Sequence, residues 1–161
     1  MSTNNDRPDT PSGATSTTRL TRDEVAAYIE DVFPEANAGS ELFIIENVRP
    51  HGARVRMTYD ARMLRPGGTI SGPAMFTLAD ISMYVAILAN IGRVPLAVTT
   101  SATINFLRRP LPRDMIAEVD LIKLGRRLAV GDVRMYSADD ARMVAQANAT
   151  YSLPPDWADG A

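Results

Sequence analysis

The sequence predicts an α+β fold in which an antiparallel sheet is wrapped around one long central helix. Three observations carry this. Residues 74 to 89 contain no Gly or Pro and are apolar on every side, as in a helix buried within a fold. After them come four strand-like stretches separated by Pro- and Gly-bearing turns, the pattern of an antiparallel meander. Two shorter strand-like runs precede them. A sheet of that size must cover its apolar face, and this helix is the only long apolar element available.

In chain order, residues 1 to 18 are polar or small with almost nothing to bury, which predicts a disordered tail. Residues 19 to 153 read as a single domain, and residues 154 to 161 as a short Trp-bearing C-terminal tail. Thr21 is placed to cap a helix from Arg22 to Val32, with Glu24 as its reciprocal partner. Val25, Tyr28, Ile29 and Val32 share one face of it, and Pro34 ends it. Residues 42 to 48 and 53 to 59 form a hairpin around Pro50-His51-Gly52. Residues 60 to 65 are a loop or one helical turn, and the Gly- and Pro-bearing entry to the central helix follows. Residues 96 to 108 are the longest strand. Simple alternation puts Val98, Thr100, Ala102, Ile104 and Phe106 on one face, and Thr99, Ser101, Thr103 and Asn105 on the other. Strands over 115 to 124, 128 to 136 and 143 to 152 complete the meander, the last aligning Met143, Ala145, Ala147, Ala149 and Tyr151.

Composition narrows the function. With 161 residues, 45% hydrophobic and 22% charged, the chain is an ordinary globular domain. Its net charge of −2 and lack of a dense Lys/Arg block give no footprint for nucleic acid. It has no cysteine and one histidine, His51, in a predicted turn. A zinc site and a Ser-His-Asp triad are disfavoured accordingly. The first residues lack a secretory pattern, and the central run reads as too short and too interrupted by Thr77, Asp80 and Ser82 to span a membrane. A cytoplasmic protein is expected.

One residue stands out. Asp80 lies in the middle of the apolar helix, and its neighbours at helical spacing, Phe76, Thr77, Met83 and Tyr84, include no cation. A carboxylate there is costly unless something hydrogen-bonds to it. Its partner is therefore another part of the fold, a water or a substrate.

Three stretches then bear a family resemblance: Ser71-Gly72-Pro73-Ala74-Met75-Phe76-Thr77-Leu78-Ala79-Asp80, Thr103-Ile104-Asn105-Phe106-Leu107-Arg108, and Leu124-Gly125-Arg126-Arg127-Leu128-Ala129-Val130. In order and spacing the chain resembles the hotdog fold, in particular the PaaI-like acyl-CoA thioesterases, from about residue 36 to residue 153. The resemblance implies Asp80 as the catalytic carboxylate, Gly72 as the glycine whose backbone N–H polarises the thioester carbonyl, and Thr99 as a hydroxyl that helps place water. It also implies pairing of two copies through the long strand, as a homodimer or dimer of dimers, with active sites between subunits. This chain departs from the family pattern at Ser71, where His is common, at Arg65, where Asn is frequent, and at Pro73, which replaces a second glycine.

The chemistry suits a helix N-terminus, which offers free N–H groups and the positive end of the helix dipole. Pro73 removes one donor and leaves those of Gly72, Ala74 and Met75. Arg108, Arg109, Arg126 and Arg127 are candidates to hold the phosphates of coenzyme A, which is part of the substrate and not a separate cofactor. The competing reading is a non-catalytic hotdog protein that binds acyl-CoA or acyl chains, with Asp80 structural. A hotdog dehydratase would need a His, and His51 is wrongly placed for it.

Overall fold

The computed structural model describes residues 17–37 and 41–158. The expected N-terminal tail therefore lies outside the described residues, except for Thr17 and Thr18. Helix α1 (Arg22–Val32) starts with the anticipated capping box: the Thr21 hydroxyl accepts from the Glu24 N–H, and the Glu24 carboxylate accepts from the Thr21 N–H. Such a cap is worth about 1 kcal/mol. Val25 and Ile29 face the core, and Pro34 opens a short 3-10 turn that ends the helix.

Strands β1 (Phe43–Arg49) and β2 (Gly52–Met57) form the first hairpin. His51 sits in its turn at φ 57°, with its N–H donating to the Asn90 side chain at 2.8 Å, so it serves the turn. After a 3-10 turn over Ala61–Met63 comes a small hairpin, β3 (Leu64–Arg65) and β4 (Thr69–Ile70). The sequence pattern predicts a loop or one helical turn over residues 60 to 65 and a Gly- and Pro-bearing helix entry after it, so this hairpin is an addition to that expectation. The turn of this hairpin needs positive φ at both Gly67 and Gly68, where glycine has no steric penalty.

Helix α2 (Gly72–Ile91) has 20 residues, longer than the apolar run suggested. Its length and composition alone would suffice to cross a membrane, so the expectation that it is too short is corrected. Its apolar surface is covered instead by the sheet. Leu78, Met83, Ala86, Ile87 and Leu88 are fully buried, and the only buried hydroxyl in its middle, Ser82, donates to the Leu78 carbonyl. Under Met83 the sheet presents Gly131, where a Cβ would lie 2.3 Å from the thioether sulfur, so helix and sheet meet at near-backbone distance.

The meander follows as β5 (Val98–Phe106), β6 (Met115–Leu124), β7 (Leu128–Ser137) and β8 (Met143–Ser152). The six-stranded antiparallel sheet has the order β1-β2-β6-β7-β8-β5 and curls round α2 as in the hotdog fold. Its inner face is lined by residues such as Val55, Val119, Val133, Ala147 and Ala149. Its outer face carries ion pairs linking neighbouring strands, among them Glu46 bridged by both Arg54 and Arg56 at 2.5 Å. Past β8, Trp157 lies beneath Arg19 and donates to the Arg126 carbonyl at 2.7 Å.

The two sheet edges differ. β1 has a bulge between Ile45 and Asn47 and lies beside α1, a common way to blunt an edge. β5 is bonded on one side only, to β8, and most of its residues are exposed. A bulge between Thr99 and Ser101 overturns the simple alternation expected there. Directly opposed residues in an antiparallel pair share a face. Thr99 opposes Tyr151, while Ala102, Ile104 and Phe106 oppose Ala149, Ala147 and Ala145. The extra residue thus swings Thr99 onto the helix side, together with Phe106.

Candidate functional site

Asp80 is partly buried, not sealed. Its Oδ1 accepts two hydroxyl hydrogen bonds, from Thr99 Oγ1 at 2.6 Å and Tyr151 Oη at 2.6 Å. The same Tyr151 hydroxyl also lies 2.9 Å from the Asp80 main-chain oxygen, which pins the phenol to the helix. No main-chain amide reaches the carboxylate, and Oδ2 has no partner among the described residues. The carboxylate looks into a cavity of about 590 Å³ between α2, the exit of α1 and the start of β5. Val32, Phe33, Phe43, Ile81 and Ala97 are among its apolar walls.

Burial and the adjacent Asp80 charge push the Tyr151 phenol far above its ordinary value, so it remains a donor. Tyr84 lies one helical turn beyond Asp80 and lines the same cavity. Burial pushes its phenol up to about 12.

The other predicted residues fall elsewhere. Ser71 is the N-cap of α2, its Oγ accepting from the Ala74 N–H at 3.4 Å, while its carbonyl accepts from Met75 N–H at 3.2 Å. Two of the three donors expected to be free are therefore engaged within the helix. Gly72 N–H is left with no partner among the described residues. The Phe106 ring lies over Gly72, so close that a Cβ there would meet it at 3.1 Å. Gly72, Phe106, Arg65, Arg108 and Arg109 border a second hollow of about 440 Å³. Arg109 also donates to the Gly67 carbonyl.

Gly72 and Asp80 therefore do not share a cavity within one chain. Eight residues of helix separate them, about 12 Å at 1.5 Å per residue. The arginines divide in the same way. Arg108 and Arg109 follow the end of β5, whereas Arg126 and Arg127 border a small hollow at the β6–β7 hairpin. That hairpin lies beside the beginning of β5, because Leu128 and Val98 both pair with Ser152.

Sequence reading missed two features. The sequence pattern aligns Tyr151 with Met143, Ala145, Ala147 and Ala149, but does not name it as a partner of Asp80. The available signal was a lone phenol among alanines on the buried face of β8, since a buried Tyr hydroxyl needs a partner. The bulge that delivers Thr99 leaves no clear mark in a run of Thr and Ser.

A model of the thioesterase superfamily matches residues 67–144, from the Gly67-Gly68 turn to β8. The crystal structure of a proposed thioesterase from a Silicibacter species is 42% identical, covers 87% of this chain and 96% of its own, and has a TM-score of 0.78. This chain belongs to the thioesterase superfamily. More distant members share the thioesterase fold. Escherichia coli PaaI, from the phenylacetic acid degradation operon, is 20% identical over 84% of this chain and 96% of that one, with TM-score 0.69. A Streptococcus pneumoniae hypothetical thioesterase crystallised with coenzyme A is 23% identical over 78% and 96%, with TM-score 0.68. No curated protein sequence matches the chain.

Proposed function

We propose that this protein is an acyl-CoA thioesterase whose working unit is a symmetric pair of chains. The observation that carries the proposal is the Asp80 carboxylate, with one oxygen held by two hydroxyls and the other open to a largely apolar cavity. A carboxylate placed only to stabilise the fold would have both oxygens satisfied by the scaffold. The family membership and the coenzyme A held by the pneumococcal relative favour the same substrate class.

The separation of Gly72 from Asp80 is accounted for by pairing through β5. If two copies join their exposed β5 edges antiparallel about a twofold axis, the start of one strand meets the end of the other. Asp80 and Thr99 of one chain then approach the partner's Gly72, and the divided arginines gather around each of two sites. In the reaction, Asp80 Oδ2 takes a proton from water as the water oxygen bonds to the thioester carbon. The partner's Gly72 N–H donates to the developing oxyanion. The C–S bond then breaks, and the thiolate leaves with the proton returned from Asp80. Arg108, Arg109, Arg126 and Arg127 hold the coenzyme A phosphates, and Ser71 serves by capping the helix that presents Gly72.

The test is thiol release from a panel of acyl-CoAs by wild type and Asp80→Asn. We expect turnover to fall by about 10²–10⁴-fold in the variant, as for loss of a general base. Equal rates in the two proteins would refute the assignment. The second reading, acyl-CoA binding without hydrolysis, is favoured by one observation: within a single chain the carboxylate and the glycine donor open into different hollows. A protein that stays monomeric at assay concentration, binds acyl-CoA and releases no thiol would establish it.

A further inference from the structure

The cavity beside Asp80 has a chemistry of its own. Among the described residues its lining holds two carboxylates, Asp80 and Glu35, and no cationic side chain, while Arg65, Arg108, Arg109, Arg126 and Arg127 lie around other hollows. It is therefore unsuited to the phosphates of coenzyme A and suited to the acyl group. Most of its wall is apolar, and the lining hydroxyls of Thr77, Thr99 and Tyr151 are engaged, with the Pro73 carbonyl for Thr77 and with Asp80 for the other two.

Tyr84 differs from these. It lines the same cavity four residues beyond Asp80, about 6 Å further along α2, and its hydroxyl has no hydrogen-bond partner among the described residues. This hydroxyl is not sealed from solvent, so water satisfies it in the free protein, and a bound ligand that displaces the water must supply the acceptor. We propose that the acceptor is an oxygen of the substrate: Tyr84 is a specificity residue that selects acyl groups carrying a neutral hydroxyl or keto oxygen beyond the thioester carbonyl. The phenol stays protonated across the neutral range and so acts as a donor. Glu35, at the same cavity, disfavours acyl groups that end in a carboxylate. The inference rests on the thioesterase reading and narrows its substrate.

The experiment compares kcat/KM for matched acyl-CoAs of equal carbon skeleton: unsubstituted, carrying one hydroxyl or keto group along the chain, and ending in a carboxylate. Wild type is expected to prefer the oxygenated member over the plain one by about tenfold, the worth of one additional neutral hydrogen bond at a partly exposed phenol. The carboxylated member is expected to be the poorest. Tyr84→Phe, which deletes only the hydroxyl, should bring the oxygenated-to-plain ratio close to one, and Glu35→Gln should raise the relative rate of the carboxylated member. A role confined to packing would lower all rates together and leave the ratios in place. Hydrolysis of the panel with ratios unmoved by Tyr84→Phe overturns this inference and leaves the thioesterase reading standing. Absence of hydrolysis of every member, by wild type as by Asp80→Asn, overturns both.

Discussion

The two stations on α2, at Gly72 and at Asp80, are made of different parts. At Gly72 the site is backbone: a free N–H in the first helical turn, overlain by Phe106 and ringed by Arg65, Arg108 and Arg109. At Asp80 it is side chain: a carboxylate steadied by Thr99 and Tyr151 in a cavity with no cation among its described lining residues. The first can accept developing negative charge and hold phosphate, and has no base. The second can take a proton, and has no donor aimed at an oxyanion. Each lacks what thioester hydrolysis requires and the other has. On the proposed mechanism, the difference means that a single chain carries two complementary halves, placed toward opposite ends of the edge strand β5.

The largest expected effect tests that division directly. In the proposed dimer Asp80→Asn removes the proposed base, and Gly72→Val fills the space against Phe106, so each homodimer should be almost inactive. Co-expressed in equal amounts, half of the dimers are mixed, and each of these keeps one intact site. Activity should return to about a quarter of wild type, the value random pairing of a symmetric dimer gives. Co-expressed variants that form mixed dimers and remain inactive would place base and donor within one chain and end the comparison.

How far the sequence foretold these halves follows from what each rests on. The central helix, the meander and the capping box at Thr21 were legible, because periodicity and capping are local properties. Asp80 was legible as an anomaly, a carboxylate in an apolar run. Gly72 was legible as a helix entry, though Ser71 proved to occupy two of the donors counted there. What binds Asp80 was not legible, since Tyr151 meets it across 71 residues of chain. Thr99 reaches it only through a one-residue bulge that plain alternation places on the wrong face. Long-range contacts and register slips leave little local trace.

A smaller effect separates the two hydroxyls. Tyr151 is almost wholly buried, while Thr99 lies on the exposed strand. Tyr151→Phe removes a buried hydrogen bond to a charged group and should lower stability by about 1.5–3 kcal/mol, measured by urea denaturation. Thr99→Val should cost less than about 1 kcal/mol, yet lower kcat because the carboxylate loses a restraint. Equal stability losses in the two variants would show that burial does not distinguish them.

The smallest expected effect is on the dependence of stability on alkaline pH. The unfolded chain ionises its tyrosines near pH 10, the ordinary phenol value, whereas folded Tyr151 is held well above it by burial and the Asp80 charge. Between the two values the native state binds more protons than the unfolded state. The stabilising contribution is therefore complete below pH 10 and is lost as pH rises beyond it. A single tyrosine of this kind gives a slope of at most about 1.4 kcal/mol per pH unit. Tyr84 adds a slope over a shorter window that ends near pH 12, since its smaller shift reflects only partial burial. Both phenols line the Asp80 cavity, and among the described residues no tyrosine borders the Gly72 hollow. Tyr151→Phe should consequently flatten the alkaline limb of the stability curve, while Arg65→Ala at the Gly72 hollow should leave its slope as in wild type. An unaltered limb in Tyr151→Phe would mean that the phenol is not held protonated against the carboxylate.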